Sequence, residues 1–578
     1  MKGNWKTNIH NLLLTMWPYR GEMTVAILCA FLKQASIIGA AALTSYVVGL
    51  AMQGNLNSHS HVLIGWLIAC VLVRAMAFFG EMYFAHDVAF RVIRNYRILL
   101  YEKICAIAPA YTLRTQTGQL GQSLVADVEI LELFLAHTFS SFLIACTVTI
   151  VIIAVLLKIS PLLSVLLLFT AILLYWIPYS MRRQSDREGE TQRRALAEAN
   201  TTLVESVQGL REIVTLRGTE RYNDLIHARM KTLYDSQYEY GKIKGNEVML
   251  THLTCGLFTA AVMAISALLV HSGKISITMY PVAVMLSTVV LGPVMELTTV
   301  AQELGIVFAA SNRVQKMLAQ VPEVKDEGHR EPTSNDCRVE FENVSFSYEE
   351  GVPILNNVSF SVAPRETVVL VGQTGAGKST CANLLLRYWD ADAGRITING
   401  VDIRYYKISS LRKMISAVQQ ETYLFHNSIR ENIRIGKVSA TEREVRSAAK
   451  RANAEEFISE LPKGYDTVTG ERGYRLSGGQ RQRISIARTL LRDTPIVIFD
   501  EAVSNLDTEN EKFIQETLRT QLQDKTVLMI AHRLSTIVAA DKIVMLDQGR
   551  VVAQGNHHTL LENSEEYRSL IKNQIIQD

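Results

Sequence analysis

Before about residue 310 the apolar residues gather into long runs instead of alternating with polar ones. Six runs stand out, roughly at 23–52, 62–90, 134–157, 160–181, 246–271 and 277–305. Each is long enough to cross about 30 Å of hydrocarbon as a helix. Cations mark the ends. The segment between the second and third runs carries Arg91, Arg94, Arg97, Lys103 and Arg114, and that between the fourth and fifth carries Arg182, Arg183, Arg187, Arg193 and Arg194. The opposite turns offer Lys158 and Lys274. By the positive-inside rule both long segments, and both termini, are expected in the cytoplasm.

Those segments keep a helical pattern, as in RRALAEANTTLVESVQGLREIVTLRGTE, so the spanning helices are predicted to run on beyond the bilayer. Residues 1–20 read as an amphipathic helix at the membrane surface, with Trp5 and Trp17 at headgroup depth. A transmembrane domain is expected over 21–319. Residues 320–337 (QVPEVKDEGHREPTSNDC) are polar, with two prolines, the composition of a linker. From 338 to 578 the pattern changes to short β-rich runs such as RVEFENVSFSY and ETVVLVG, alternating with helical segments. That predicts an α/β domain. The fold class expected is therefore an α-helical six-span transmembrane domain followed by an α/β nucleotide-binding domain.

Composition agrees only when it is divided between the halves. The 48% hydrophobic share and mean hydropathy of +0.13 average a strongly apolar first half with an ordinary second half. A net charge of +3 supplies no concentrated basic face, so nucleic acid is not expected as a partner. The seven cysteines are scattered without metal-ligand spacing, which argues against a disulfide or zinc framework.

The strongest chemical signal is GQTGAGKST, Gly372–Thr380, between the apolar run 367–371 and a helical stretch. In the order strand, glycine loop, helix, the residues Gly372, Gln373, Thr374, Gly375, Ala376 and Gly377 fold backbone N–H groups around phosphate oxygens. Lys378 adds a point charge for the β/γ-phosphates, and Ser379, followed by Thr380, is placed to ligate Mg²⁺. Further on, TPIVIFDE ends an apolar strand with Asp500 and Glu501. Asp500 suits the Mg²⁺ shell, and Glu501 is the expected catalytic group that polarises the attacking water.

With LSGGQ at Leu476–Gln480 just upstream, the chain closely resembles the ATP-binding cassette (ABC) family, exporter type, over nearly its whole length. The resemblance implies ATP and Mg²⁺ as cofactors and assigns further roles. Tyr348 is implied to stack on adenine, Gln420 to contact Mg²⁺ and the membrane domain, and His532 to act as the catalytic switch at the γ-phosphate. Ser477, Gly478, Gly479 and Gln480 are implied to contact ATP held by a second subunit, with Asp507 of SNLD beside them. GERG, Gly470–Gly473, resembles an element that touches the transmembrane loops. One glycine loop and one signature per chain imply a dimer, with itself or with a related half-transporter. Segments near Thr115–Gln122 and Val207–Glu220 are the implied coupling helices.

The run around Glu81–Ile98 and Asp127 resembles the bacterial thiol-reductant exporters of cytochrome bd assembly. That likeness implies a small-molecule cargo such as cysteine or glutathione, moved outward across the bacterial cytoplasmic membrane. It also implies haem b at His86, with Met82 one turn earlier. A peptide, a lipophilic drug or a siderophore is the alternative cargo on the same fold. A soluble ABC ATPase is the rival of another class, and the six spans argue against it. Lys33, Arg74, Glu81 and Glu296 fall inside spans, where charge is costly. Lys33 and Glu296 are expected to meet the cargo, each other, or the second subunit.

Overall fold

Lipid leaves no water to satisfy a free backbone amide, so each apolar run must close its hydrogen bonds internally as helix. The computed structural model describes residues 5–53, 60–115, 117–331, 336–349, 351–500, 516, 520–531 and 533–577. After an N-terminal helix, Trp5–Met16, come α1 (Arg20–Met52), α2 (Ser60–Ile107), α3 (Phe139–Ile159), α4 (Pro161–Gln208), α5 (Thr219–His271), α6 (Met279–Val289) and α7 (Leu291–Leu318). Among the described residues, six helical stretches are long and apolar enough to span a membrane. The helices α2 and α4 have 48 residues and α5 has 53. At 1.5 Å per residue these reach about 70–80 Å, far past the hydrocarbon, as the helical pattern beyond the apolar runs predicted.

Two departures from the predicted spans have local causes. The sixth run is broken at Val290 between α6 and α7. Pro293 has no N–H to give the carbonyl one turn back, which interrupts the ladder there. The third run starts earlier than position 134, because wide helical turns at Gln122–Asp127 and Leu133–Thr138 precede α3. Ser160 leaves the helical region at φ −159°, ψ 119°, and Pro161 opens α4, the position where its missing N–H costs nothing.

On α2, Val62, Ile64, Trp66, Ile68, Leu72, Met76 and Phe79 are all exposed. A face that broad and apolar has lipid for its solvent. Inward, Ile144, Ile152 and Leu156 of α3 meet Leu163, Leu167 and Leu174 of α4, with Phe258 and Val262 of α5. Buried Asp127 accepts a two-pronged ion pair from Arg313, Nε to Oδ2 at 2.8 Å and Nη2 to Oδ1 at 2.7 Å.

A second unit comprises Ile104–Thr115 and the residues from Val321 onward. Its strands are β1 (Val339–Glu349), β2 (Val352–Val362), β3 (Thr367–Val371), β4 (Ala393–Ile398), β5 (Val401–Asp402), β6 (Ile415–Val418), β7 (Ile496–Asp500), β8 (Thr526–Ile530), β9 (Lys542–Asp547) and β10 (Arg550–Gly555). Among the described residues they form an antiparallel sheet, β2-β1-β4-β5, and a larger sheet, β10-β9-β3-β8-β7-β6, parallel from β9 to β6. Period-two alternation sends Val369, Val371, Val497 and Phe499 into one core and Val368, Leu370, Ile496 and Ile498 into the other. Burial on both faces is why these strands read as continuous apolar runs.

Part of the stretch predicted as a linker lies on this unit. Asp326 accepts from the Ile408 amide at 2.7 Å, the Lys325 carbonyl accepts from Arg387 at 3.0 Å, and the His329 and Arg330 amides donate to the Tyr405 carbonyl. Polar composition marks such a segment without telling a tethered path from a free one.

Candidate functional site

Parallel strands bring their C-terminal ends to one edge, and loops there have helix N-termini behind them. In the register, Leu370 of β3 and Asp500 of β7 both pair with Ile530 of β8, while Val418 of β6 pairs with Phe499. The glycine loop, Asp500 and the segment holding Gln419 and Gln420 therefore leave the sheet at the same edge.

The loop turns where only glycine fits. Gly372 has φ +144°, and a Cβ there would sit 2.0 Å from the Leu546 carbonyl oxygen. Gly377, at φ +97°, caps α8 (Lys378–Leu385), and a Cβ would strike Leu355 at 2.5 Å. Lys378 is buried and folds back over the loop, donating to the carbonyls of Gly372 at 2.8 Å and Gln373 at 2.9 Å. Gln373, Thr374 and Gly375 are exposed, whereas Ala376 and Thr380 are buried. Ser379 is exposed, and its Oγ donates to Asp500 Oδ1 at 3.1 Å. A hydroxyl beside a carboxylate, at the mouth of a loop lined with N–H groups, is a donor set for a hard divalent cation carrying phosphate. ATP and Mg²⁺ thus fit the residues present.

Tyr348, at the end of β1, stands edge-on to Trp389 and Phe346, with ring centroids 5.0 and 4.9 Å away. Its hydroxyl donates to Thr380 Oγ1 and accepts from Asn383, both at 3.4 Å, which ties the ring to α8. Burial pushes the next thiol on α8, Cys381, up to about 12. Gln420 is exposed two residues beyond β6. Glu501, Asp507 and His532 lie outside the described residues.

The helix α9 (Gly478–Arg492) begins at the signature. Ser477 is its N-cap: the Ser477 Oγ accepts from the Gln480 amide at 3.2 Å, and Gln480 Oε1 accepts from the Ser477 amide at 3.0 Å. This reciprocal box holds the first turn while Gly478 and Gly479, the first two helical positions, have no intrahelical carbonyl to donate to. The serine-x-x-glutamine spacing is the local signal of such a box. Upstream, GERG is built around left-handed Arg472 at φ 51° and Gly470 packed under the Tyr474 ring.

Sequence reasoning also passes over Arg488 on α9. Burial presses its guanidinium down to about 10. It donates to the Asn432 and Tyr423 carbonyls at 2.7 and 2.8 Å and to Asn432 Oδ1 at 2.6 Å.

In the membrane unit, Lys33 pairs with Glu81 at 2.5 Å, and Glu296 lies within electrostatic reach of both. Met82 and His86 cannot both be axial ligands of one haem. Met82 and His86 are one turn apart on one helix and project to the same side, whereas axial ligands must approach the iron from opposite faces. The His86 ring has Nδ1 3.0 Å from the Met82 carbonyl, while Nε2 stands 3.6 Å from a Glu132 carboxylate oxygen, beyond hydrogen-bond distance. This geometry lends the haem expectation no support. Of the two expected coupling segments, the second contains a short helix, Leu210–Thr215, between Gly209 and Gly218, with Leu210, Val214 and Leu216 exposed. In the first, Thr117–Gly121 is helical, and residue 116 lies outside the described residues.

Comparison with known proteins supports both halves of this arrangement. Residues 23–294 match the family model described as "ABC transporter transmembrane region", and residues 355–504 match that described as "ABC transporter". The chain is 32% identical over 572 residues to an ATP-dependent lipid A-core flippase of Methylobacillus flagellatus, covering 98% of this chain and 97% of the relative. It is likewise 32% identical over 566 residues to the putative multidrug export ATP-binding/permease protein YgaD of Bacillus subtilis, covering 96% and 97%. A solved structure of a bacterial Atm1-family ABC exporter with ATP bound is similar, with TM-score 0.82 and 28% identity over 96% of this chain and 98% of that one.

Proposed function

Because the chain belongs to the ABC transporters, as a multi-pass exporter half-transporter with an ATP-hydrolysing cassette, we propose that two such subunits close on two ATP molecules and drive a small solute outward. The observation that carries this reading is the meeting of Ser379 with Asp500 beside the loop closed by Lys378. In it, Lys378 and the loop amides bind the phosphates, Ser379 and Asp500 hold Mg²⁺ with Gln420, and Tyr348 meets the adenine. When bound, Mg²⁺ neutralises charge on the transferred phosphoryl group. Glu501 orients the attacking water and His532 senses the γ-phosphate. Ser477 and the amides of Gly478 and Gly479, with Gln480 holding their turn and Asp507 alongside, close over the partner's ATP. The partner is a second copy or a related half-transporter.

We place the subunit in the bacterial inner membrane with both termini in the cytoplasm, on the asymmetry of arginine and lysine. Closure is passed to the spans through the segments near Thr115–Gln122 and Val207–Glu220. The thiol cargo, cysteine or glutathione, rests on the likeness around His86 and Asp127. A lipophilic drug or lipid is the second reading, favoured by relatives described as a lipid A-core flippase and a multidrug exporter at 32% identity over almost the whole chain. Protein reconstituted in liposomes decides between them. Glutathione and cysteine raise ATP turnover and accumulate on the far side if the first holds. Stimulation by lipophilic amines or lipid with none by thiols replaces it with the second.

A further inference from the structure

Outside the nucleotide site, α9 carries a half-buried cation, Arg488. A guanidinium partly withdrawn from water still needs its donors met. Among the described residues no carboxylate is bonded to it. Its partners are the Asn432 carbonyl, the Asn432 side-chain oxygen and the Tyr423 carbonyl. Asn432, itself fully buried, spends its amide on the carbonyls of Phe425, Asn427 and Ser428 at 2.9, 3.3 and 3.0 Å, and its oxygen also accepts from the Phe425 amide at 2.9 Å. Every one of these acceptors belongs to Asn432 or to the loop that follows Gln420.

The same loop is tied a second time. Thr469 donates its hydroxyl to the Phe425 carbonyl at 2.8 Å and its amide to Asn427 at 3.1 Å, and the Ile429 amide donates to Thr467 at 3.0 Å. Thr469 leads through Gly470–Gly473 to Ser477. Arg488 stands eleven residues beyond Ser477 on α9, three turns or about 16 Å along the helix. The loop is therefore fastened on both sides of the signature, at Thr467 and Thr469 before it and at Arg488 of α9 after it. Its outer surface carries Tyr423 and Phe425, more than half exposed, with ring centroids 5.2 Å apart.

We infer that Arg488 is a positioning residue which, through Asn432, makes the loop 421–428 and the signature helix one rigid body, so that displacement of the Tyr423–Phe425 tip reaches Ser477–Gly479 without being absorbed between them. The inference rests on the cassette reading above. The planar fork is what the site uses, since three acceptors in different directions are met by one rigid group, which an ammonium cannot reproduce. The contribution is to turnover and not to nucleotide affinity, because Arg488 touches neither the glycine loop nor Tyr348 by these bonds.

The test compares full-length wild type, Arg488→Lys and Lys378→Ala in liposomes, with turnover expressed per nucleotide site counted by photolabelling with an azido-ATP. The expected result for R488K is kcat per site lowered about tenfold, with KM for ATP within about twofold of wild type. Unchanged kcat per site, or KM and kcat failing together, overturns the inference. Hydrogen exchange on the wild type gives a second readout that needs no variant. Peptides covering 423–428 and 477–481 should change protection together on adding Mg-ATP, and independent change overturns the rigid-body claim. Wild type that fails to hydrolyse ATP, or K378A that hydrolyses it normally, sinks the cassette reading instead.

Discussion

Ser379 and Asp500, 121 residues apart in sequence, meet through one hydrogen bond of 3.1 Å at the C-terminal edge of the parallel sheet. With Mg-ATP present these two oxygens would hold the cation, and the bond between them would be given up. Ser379→Ala and Asp500→Asn should each lower Mg²⁺-dependent hydrolysis about a hundredfold, and the double variant should lose little more, because the two act as one unit. Malachite-green assay of released phosphate at saturating ATP checks this. Additive losses would mean that they serve separate steps.

The glycine loop separates conformational need from crowding. Gly372→Ala places a methyl 2.0 Å from a backbone oxygen and holds it at φ +144°, and should cost about 3 kcal/mol of cassette stability. Gly375→Ala, at φ +87° with nothing within 4 Å, should cost about 1 kcal/mol. Thermal unfolding of the two purified variants ranks them. Equal midpoints would contradict the packing argument.

How far the sequence discloses this molecule depends on how local each signal is. Six spans, the glycine loop and the acidic strand end are written in contiguous residues, because membrane thickness and phosphate geometry each demand a run of fixed length. Pro293 is in plain view, yet whether α6 and α7 bend or continue depends on neighbouring helices. Arg488 gives no local signal at all. It sits in the apolar stretch ISIARTLL, and its acceptors lie 56 and 65 residues away. Lys33 pairs with Glu81, a partner that the spans do not announce, since sequence does not fix which helices adjoin.

Ser477 caps α9 and is proposed to meet the partner's ATP, and an alanine separates the two. Loss of the helix cap alone costs about 1 kcal/mol, a small shift in melting. Loss of the proposed contact with the partner's ATP should lower kcat more than about tenfold. Parallel melting and ATPase curves of Ser477→Ala test the division. A large melting shift with proportionate loss of activity would leave only the capping role.

Cys381 follows Thr380 in α8 and is fully buried. With its thiol pushed up to about 12, the reactive thiolate at pH 8 is about one part in ten thousand. N-Ethylmaleimide should leave the Cys381 peptide unmodified in the folded protein and alkylate it in denaturant. Rapid labelling of the native protein at this position, read by mass spectrometry, would place the α8 core open to solvent.

The central claim is that a triphosphate held in the cassette powers the membrane half, and steady-state ATPase of the protein in liposomes tests it most directly. Wild type should turn over Mg-ATP, Lys378→Ala should bind and hydrolyse it poorly, and Glu501→Gln should retain bound ATP while turning over very slowly. Near-normal hydrolysis in both variants would contradict the account.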